Sequence, residues 1–348
     1  MNKIKIGKKY IGYGEPAFII AEMGVNHNGD MRLVRKIIDE AVEAGVDAIK
    51  FQKFTTEDLV TVNAPKAKYQ EATTDSSESQ FKMLKKLELS TEQLKELKAY
   101  ADQKGILSFA TPFDENSVDF LEELDVEAYK IGSGDVTNIP LLKKVAMKGK
   151  PIILSTGMST LSDVEEAVEA VFSQGNQKLI LMHCTSNYPT DLKDVNLKAM
   201  DTVQQAFALP TGYSDHTMGI SVSVAAVARG AVAIEKHFTL DRSLEGPDHL
   251  ASLEPDELKR LVSEIRNVEA CLGSSIKKPA ESELEVKLVA QKSIVATTNI
   301  KAGTILTSEM LTCKRPSTGI PPKYIDVVVG RKATVDILKD NVITWEMV

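Results

Sequence analysis

Short apolar runs alternate with amphipathic segments along most of this chain. The segment MRLVRKIIDEAVEAG is typical of the amphipathic class, because Val34, Ile37 and Ile38 recur at helical spacing and Gly45 provides a left-handed stop. The apolar runs are short and bounded by polar or turn residues, which favours buried strands. Eight such runs follow one another: FIIAEMG, AIKFQKF, LSFATPF, AYKIGSG, PIILSTG, LILMHCTS, TGYSDH and AVAIEKHFT.

Eight repeats of strand and helix predict a parallel sheet covered by helices. Eight units over roughly 250 residues match the size of a closed (β/α)8 TIM barrel, and a doubly wound open sheet is the alternative. Capping signals mark the expected ends of three helices: Ser90 with Gln93 to Gly105, Ser162 with Glu165 to Gly175, and Pro255 to Gly273.

Two segments depart from the repeat. Residues 55–80 are polar and too long for a plain βα loop, so we expect a functional lid or wall there. The sequence at 274–286 predicts a polar linker after a barrel at 1–273. Residues 287–348 are rich in β-branched residues and turn signals, which predicts a small β-rich module. At about 60 residues this module is near the lower limit for an independent core.

Composition narrows the function class. The formal charge is −7, from 42 Lys and Arg against 49 Asp and Glu, so no basic face for nucleic acid is expected. Cys184, Cys271 and Cys313 form no CxxC pair, which argues against a disulfide framework or a thiolate zinc site. The sequence shows neither a secretory signal nor an apolar run of 18 residues, so we expect a cytoplasmic protein without a membrane span.

Polar and ionisable residues end all eight predicted strands. In a (β/α)8 barrel the carboxyl ends of the strands surround the active site, and residues two apart on one strand share a face. A single such pair could point outward into solvent, but eight strands together predict a charged, wet pocket. Its candidate residues are Glu22, Lys50, Gln52, Thr111, Lys130, Ser133, Ser155, Thr156, Thr185, Ser186, Ser214, His216, Glu235 and His237.

Two kinds of chemistry are indicated at these strand ends. Lys50 and Lys130, with hydroxyl groups around them, suit an oxyanion ligand such as a phosphate or a carboxylate. His216 and His237 fall on adjacent strands and are close enough to share a metal ion. Oxygen ligands without a thiolate suit Mn or Mg better than structural Zn. A Schiff-base role for Lys130 is the alternative, which borohydride trapping with substrate would decide.

The ordered motifs of this chain resemble the sialic acid synthase family. The resemblance runs nearly end to end, and the tail is similar to the family's antifreeze-like (SAF) domain. It implies condensation of phosphoenolpyruvate with an N-acetylmannosamine-type sugar to give a nine-carbon 2-keto acid, N-acetylneuraminate or N,N'-diacetyllegionaminate, and phosphate. The motifs are IIAEMGVNHNG, IKFQ, ATPFD, YKIGSGD, ILSTGM, HCTSNYPT, GYSDHT, EKHFTLD, GPDH and KRP.

The resemblance also implies roles for single residues. Glu22, Lys50 and Lys130 would be catalytic, with Glu22 matching the family's active-site glutamate. His216 and His237 would bind a divalent cation, usually Mn²⁺, with Mg²⁺ or Co²⁺ as alternatives. The anionic groups of phosphoenolpyruvate would be held by Lys50, Thr111, Lys130, Ser133, Ser155 and Ser214, and the sugar by Gln52, Asp135, Tyr188, Glu235, Asp248 and Arg315.

Arg315 corresponds to an antifreeze-like-domain arginine that reaches the pocket of the partner subunit, so the resemblance implies a domain-exchanged homodimer. Two departures concern the sugar side of the site. Asp135 stands where the family commonly has Glu, and Ser186 stands where some members have Asn. They leave the sugar open between N-acetylmannosamine and 2,4-diacetamido-2,4,6-trideoxymannose.

Two other interpretations stay open. One is a barrel enzyme that condenses phosphoenolpyruvate with another acceptor, either the pseudaminate precursor or a sugar phosphate. A second phosphate needs additional Arg or Lys, and the strand ends offer only Lys50 and Lys130. The other is a binding or ice-interacting module on an inactive barrel, against which the ionisable strand ends argue.

Overall fold

Eight parallel strands close into a barrel in chain order, and the eighth strand pairs with the first. The computed structural model describes residues 3–348. All eight predicted strands are present, and the predicted TIM barrel is confirmed. They are β1 Phe18–Gly24, β2 Ala48–Lys53, β3 Leu107–Pro112, β4 Tyr129–Ile131, β5 Ile152–Ser155, β6 Leu179–Cys184, β7 Thr211–Asp215 and β8 Ala233–His237.

A helix returns the chain after each barrel strand, so successive strands lie parallel. The helices bury their apolar faces on the outside of the barrel, where the largest core cluster is found. They are α1 Met31–Ala44, α2 Thr91–Lys104, α3 Glu115–Glu123, α4 Ile139–Met147, α5 Leu161–Phe172, α6 Ala199–Phe207, α7 Ser221–Ala228 and α8 Pro255–Leu272.

A short antiparallel hairpin precedes the barrel and was not predicted. Its strands are Ile4–Ile6 and Lys9–Ile11. Ile4, Ile6 and Ile11 are buried in the same apolar cluster as the barrel core. The turn at Gly7 lies against Leu107, the first residue of β3, so the hairpin packs at the amino end of the strands. It therefore lies at the opposite end of the barrel from the predicted pocket.

Of the three helix starts predicted from capping signals, two are confirmed and one is wrong. The side chains of Ser90 and Gln93 form the predicted capping box of α2, which ends at Gly105 in the left-handed conformation. Helix α5 begins earlier than predicted, because its capping box joins Thr160 to Asp163 instead of Ser162 to Glu165. Two overlapping Ser/Thr-x-x-acid patterns occur there, and spacing alone does not choose between them.

The long segment after β2 folds into three short helices, Thr56–Leu59, Lys68–Thr73 and Gln80–Leu87. Its apolar residues form a small cluster separate from the main core. Val25, Phe54, Met83 and Leu87 are buried in this cluster. The segment is therefore an ordered structure packed beside the carboxyl end of β1 and β2.

Contacts divide the chain into two compact units, Met1–Gly273 and Ser274–Val348. In the second unit, strands Ser293–Ala296 and Leu311–Lys314 pair antiparallel around a separate apolar core. Most of the other backbone pairing there uses isolated bridges, so regular strand is scarcer than the composition suggests. Helix Leu284–Ala290 crosses the predicted boundary at 286 and 287. The remaining short helices of the chain are Ser133–Asp135, Leu192–Asp194, His249–Ala251, Glu281–Glu283, Ser308–Met310, Pro322–Tyr324, Ile325–Val328 and Trp345–Met347.

Within residues 3–348, every helix is too short or too polar to cross a membrane.

The start of α5 can be tested by paired substitutions. Thr160→Ala removes the hydroxyl that accepts from the Asp163 backbone N–H, so it should lower the free energy of unfolding by about 1 kcal/mol. Ser162→Ala alters an exposed residue inside the helix and should change stability by less than about 0.5 kcal/mol. Urea denaturation of both variants makes the comparison. A larger loss for Ser162→Ala would place the helix start at the predicted residue instead.

Candidate functional site

The carboxyl ends of the barrel strands surround one cavity of about 460 Å³. Active sites of this fold lie at that end. Most of the predicted site residues line the cavity, and Asp135, Thr156, Thr185 and Arg315 do not. Those that line it are Glu22, Lys50, Gln52, Thr111, Lys130, Ser133, Ser155, Ser186, Tyr188, Ser214, His216, Glu235, His237 and Asp248.

Two lysines and two glutamates form the charged floor of the cavity, and all four are buried. The Lys50 ammonium lies 3.2 Å from Glu235 Oε1 and 3.4 Å from Glu22 Oε2. The Lys130 ammonium lies 3.6 Å from Glu235 Oε1 and donates to Ser155 Oγ at 2.7 Å. Since isolated buried charges are unstable in an apolar interior, each charge here depends on the others.

The two glutamates of this floor differ in protonation. Burial raises the pKa of Glu22 to about 7, even though Lys50 acts in the opposite direction. Burial alone would also raise the pKa of Glu235, but Lys130 and Lys50 outweigh it and hold that pKa low. Burial lowers the pKa of Lys130. The floor thus contains one firmly ionised carboxylate, Glu235, and one carboxyl group, Glu22, that exchanges its proton near neutral pH.

Hydroxyl groups surround the lysines, and one of these hydroxyl groups, that of Ser133, contacts a thiol. Ser133 Oγ lies 3.1 Å from Cys184 Sγ and accepts from the Gly157 backbone N–H at 2.9 Å. A Cβ atom at Gly157 would collide with Ser133, Cys184 and Ser186, so the close approach of these side chains requires glycine there. Sequence inspection missed Cys184 and Gly157. Cys184 ends β6 and Gly157 follows β5, both within the quoted motifs, but neither forms a pair of ionisable residues two apart.

The two predicted metal ligands lie side by side. The ring centroids of His216 and His237 are 5.6 Å apart. His216 Nδ1 donates to the Thr185 carbonyl at 2.7 Å, which leaves Nε2 of that ring free to accept or to bind a cation. Burial lowers the pKa of His216 to about 4 and that of His237 well below its usual value. Both imidazoles are therefore neutral at physiological pH, the form in which histidine binds metals.

Aromatic rings stack against this histidine pair. The Tyr188 ring centroid is 4.1 Å from that of His216 and 5.5 Å from that of His237. Tyr69, from the segment after β2, stacks on the other side of Tyr188 at 5.1 Å. Tyr69 lines the cavity and was not predicted, because nothing in its local sequence indicates which residue of a long polar segment faces inward. The rings join the segment after β2 to the histidines.

The loop after β8 places Asp248 over the cavity. Its backbone carbonyl accepts from Ser252 Oγ at 2.7 Å, and Ser252 Oγ in turn accepts from the Asn26 amide at 2.9 Å. Asp248 Oδ2 lies 3.8 Å from His237 Nδ1, too far for a hydrogen bond. Burial raises the pKa of Asp248 to about 6. The loop is thus tied to the loop after β1, and its carboxyl group faces the histidine pair.

The segment after β2 forms the predicted wall of the cavity. Its inner surface is largely apolar and includes half-buried Leu59, Val60 and Leu84 beside buried Met83. Gln70 and Gln80 are polar exceptions, and Gln80 Nε2 donates to Gln70 Oε1 at 3.3 Å. The cavity therefore has a charged floor at the strand ends and an apolar wall on one side.

Four predicted site residues, Asp135, Thr156, Thr185 and Arg315, are not among those that line the cavity. The hydroxyl groups of Thr156 and Thr185 donate to backbone carbonyls instead. Asp135 lies on the short helix Ser133–Asp135 and accepts from the Asn138 amide at 3.0 Å. Its contact with the sugar therefore stays a prediction. Arg315 is exposed in the second compact unit, after strand Leu311–Lys314.

Several buried polar atoms of the site have no hydrogen-bond partner among residues 3–348. Buried polar groups in proteins are nearly always paired, so such atoms mark positions that a ligand or an ion can satisfy. They lie on three of the barrel strands, β1, β3 and β8. The atoms are Glu22 Oε2, Thr111 Oγ1, Glu235 Oε2 and His237 Nδ1.

The sequence matches the NeuB family over residues 37–277 and the SAF domain over residues 291–348. It is 47% identical over 327 residues to the N,N'-diacetyllegionaminic acid synthase of Campylobacter jejuni, covering 93% of this chain and 98% of that protein. It is 41% identical over 347 residues to human N-acetylneuraminate-9-phosphate synthase, covering 98% of this chain and 95% of that protein.

A solved structure also resembles this fold. The N-acetylneuraminic acid (sialic acid) synthetase of Leptospira borgpetersenii, determined in complex with citrate, superposes with a TM-score of 0.73 at 40% identity. The match covers 82% of this chain and 95% of that one.

Proposed function

Because the chain belongs to the NeuB family, we propose that it condenses phosphoenolpyruvate with an N-acetylmannosamine-type sugar. The products are a nine-carbon 2-keto sugar acid and inorganic phosphate. One observation carries the proposal: a buried floor of two lysines and two carboxyl groups, with unpartnered polar atoms, faces a cavity beside two neutral histidines. Such a floor suits a small ligand with several negative charges.

Phosphoenolpyruvate fits the lysine side of the cavity. The ammonium groups of Lys50 and Lys130 provide positive charge at the bottom, and Thr111 Oγ1 is an unpartnered hydroxyl beside them. Ser133 accepts the Gly157 N–H and is free to donate its own proton to an oxyanion. A phosphate and a carboxylate bound here would complete the charge pairing that the glutamates now provide alone.

The reaction needs one new C–C bond and one broken C–O bond. Carbon 3 of phosphoenolpyruvate attacks the sugar aldehyde, whose oxygen becomes a hydroxyl group by taking up a proton. Positive charge develops at carbon 2, and water adds there and loses one proton, which leaves a hydroxyl group on carbon 2. That hydroxyl group then loses its proton to the departing phosphate as the carbonyl forms and the bond from carbon 2 to the phosphate oxygen breaks. Glu22, whose Oε2 has no hydrogen-bond partner, stabilises the positive charge and accepts the first proton from the water.

The histidine pair fits a divalent cation. Two neutral imidazoles side by side, one with a free Nδ1, are suitable ligands, and the surrounding donors are oxygen atoms. Among residues 3–348, no group of three or more His, Cys, Asp or Glu has the spacing to enclose an ion, so water or substrate must supply the other ligands. Mn²⁺, or Mg²⁺ or Co²⁺, would act there as a Lewis acid on the aldehyde oxygen.

The cavity favours an unphosphorylated acceptor. Among residues 3–348, the cationic side chains that line the cavity are Lys50 and Lys130, and both already pair with the glutamates of the floor. The human relative is named for a phosphorylated product, but a second phosphate would need additional Arg or Lys. The apolar wall at Leu59, Val60 and Leu84 favours methyl groups over hydroxyl groups. We therefore favour 2,4-diacetamido-2,4,6-trideoxymannose over N-acetylmannosamine.

We also propose a homodimer. Helix Leu284–Ala290 exposes Leu284, Val286, Leu288 and Val289, each with more than half of its surface accessible in the single chain. Contiguous exposed apolar side chains are typical of a surface that a partner covers. In the domain-exchanged arrangement Arg315 would reach the partner's cavity and contact the N-acetyl group of the sugar.

A cytoplasmic location is part of this proposal. Cys184, Cys271 and Cys313 are all free thiols, which suits a reducing compartment.

The central test is phosphate release by the purified protein. With Mn²⁺ and phosphoenolpyruvate, the diacetamido sugar should give turnover, and its kcat/KM should exceed that of N-acetylmannosamine by at least about tenfold. EDTA should stop the reaction and Mn²⁺ should restore it. The same mixture without sugar is the control and should release no phosphate. Absence of turnover with both sugars would rule out the proposed reaction.

Glu22→Gln should lower kcat by about 10²- to 10⁴-fold, because an amide cannot accept the proton of the attacking water. The raised pKa of Glu22 means that its carboxylate is lost as the pH falls through about 7. The kcat/KM of the wild type should therefore decline below that pH, and the residual activity of Glu22→Gln should lack this step. Glu57→Gln changes an exposed glutamate of the wall segment and serves as the control. An unchanged pH profile in Glu22→Gln would contradict the role.

Arg315→Ala tests the contribution of the second unit. Loss of a charged hydrogen bond to the sugar should raise its KM by about tenfold or more and leave the KM of phosphoenolpyruvate unchanged. Lys314→Ala, at the neighbouring exposed position, is the matched control. Steady-state kinetics with each substrate varied in turn separates the effects. A surface arginine without this role would leave both constants at their wild-type values.

A further inference from the structure

A buried ion pair lies on the outer face of the strands that carry the two histidines. Asp215 on β7 and Lys236 on β8 are register partners, and their side chains are completely inaccessible. The Lys236 ammonium lies 2.9 Å from Asp215 Oδ2. Side chains alternate along a strand, so Ser214 and Glu235, the preceding register pair, point inward to the cavity. The ion pair takes no part in the chemistry proposed for the cavity.

Every polar atom of this ion pair has a partner. Asp215 Oδ1 accepts from the Thr217 backbone N–H at 2.9 Å and from its hydroxyl at 2.8 Å. Asp215 Oδ2 accepts from Ser223 Oγ of α7 at 2.6 Å, and the Lys236 ammonium donates to the Thr217 carbonyl. These bonds join the end of β7, the start of α7 and the end of β8.

These hydrogen bonds lie directly beside the two histidines in the sequence. His216 lies between Asp215 and Thr217, the two residues that the network holds. His237 follows Lys236 directly. The network therefore fixes the backbone on both sides of His216 and immediately before His237, while the Thr185 carbonyl orients the His216 ring.

Stability alone does not explain such a pair. A buried ion pair loses most of its Coulombic gain to desolvation, and apolar residues of similar volume often replace it without loss of stability. What a hydrogen-bonded pair provides, and apolar side chains do not, is one defined geometry between two backbone segments. In this barrel the segments concerned are those that carry His216 and His237.

We propose that Asp215 and Lys236 are positioning residues that hold His216 and His237 at the separation needed to share a divalent cation. The inference rests on the proposed metal site. It adds that residues on the outer face of the barrel determine the affinity of that site for the cation. The partners of metal-binding histidines typically change metal affinity by about 10- to 100-fold when they are removed.

The test uses Mn²⁺ alone, titrated into metal-free protein by calorimetry, with thermal unfolding measured in parallel. The double variant Asp215→Leu/Lys236→Met removes both charges together, so no buried charge is left unpaired. Thr217 and Ser223 lose their acceptor, so the melting temperature should fall, and the thermal transition identifies the temperature range in which the variant is folded. Its Mn²⁺ affinity should fall by about 10- to 100-fold. Ser223→Ala removes one hydrogen bond of the network and should weaken Mn²⁺ binding less, in the same direction.

The matched control is Ser117→Ala. Ser117 is also a buried serine, and its hydroxyl donates at 2.6 Å to the side chain of Asp114, away from the histidines. It should leave Mn²⁺ affinity unchanged. If the folded double variant and Ser223→Ala both bind Mn²⁺ with wild-type affinity, the inference is wrong, although the metal site itself is present. If the wild-type protein binds no Mn²⁺, both the inference and the proposed metal site are wrong. Turnover without a metal would then show that the metal proposal is the error.

Discussion

The structure depends on the mutual neutralisation of two ammonium groups and two carboxyl groups inside a barrel. A charge moved from water into such an interior costs several kcal/mol unless opposite charges and hydrogen bonds surround it. Lys50 lies between Glu22 and Glu235, and Lys130 lies between Glu235 and Ser155, so no charge of the floor is isolated. The pairing is incomplete, since Oε2 of each glutamate has no hydrogen-bond partner in the described chain, although the Lys50 ammonium lies 3.4 Å from that of Glu22. A ligand with several negative charges would take over the lysines and leave Glu22 to act on it.

The barrel is what makes this concentration of charge possible. Parallel strands end at one edge, so each strand contributes its last inward residues to the same volume, whatever their separation in sequence. Helices and the amino-terminal hairpin supply apolar burial at the sides and at the other end. The apolar core therefore surrounds the strands and covers their amino ends, and the charged floor lies at their carboxyl ends.

The sequence predicted those parts of the fold and the cavity that depend on local pattern. Strand-end polarity and period-two spacing identified the floor and the pair of His216 and His237, because a strand fixes which residues share a face. Contacts made by a long irregular segment could not be predicted, and Tyr69 illustrates this: its stacking on Tyr188 depends on how three short helices pack. The start of α5 was wrong because two capping patterns overlap. Asp135 lies outside the cavity lining, where a neighbouring amide donates to its carboxylate, and its contact with the sugar stays a prediction.

The alternation of side chains along a strand links the inner and outer faces of the barrel. At the ends of β7 and β8 the inward residues form the histidine pair and part of the charged floor, and the outward residues form a second, separate ion pair. The motifs SDHT and EKH thus each encode two residues for the cavity and the residue between them for the layer behind it. A one-residue shift between these strands would exchange the two sets, placing His216 against the helices and Asp215 in the cavity. Because Asp215 and Lys236 satisfy each other only in the observed register, the outer pair selects the register in which the inner site is assembled.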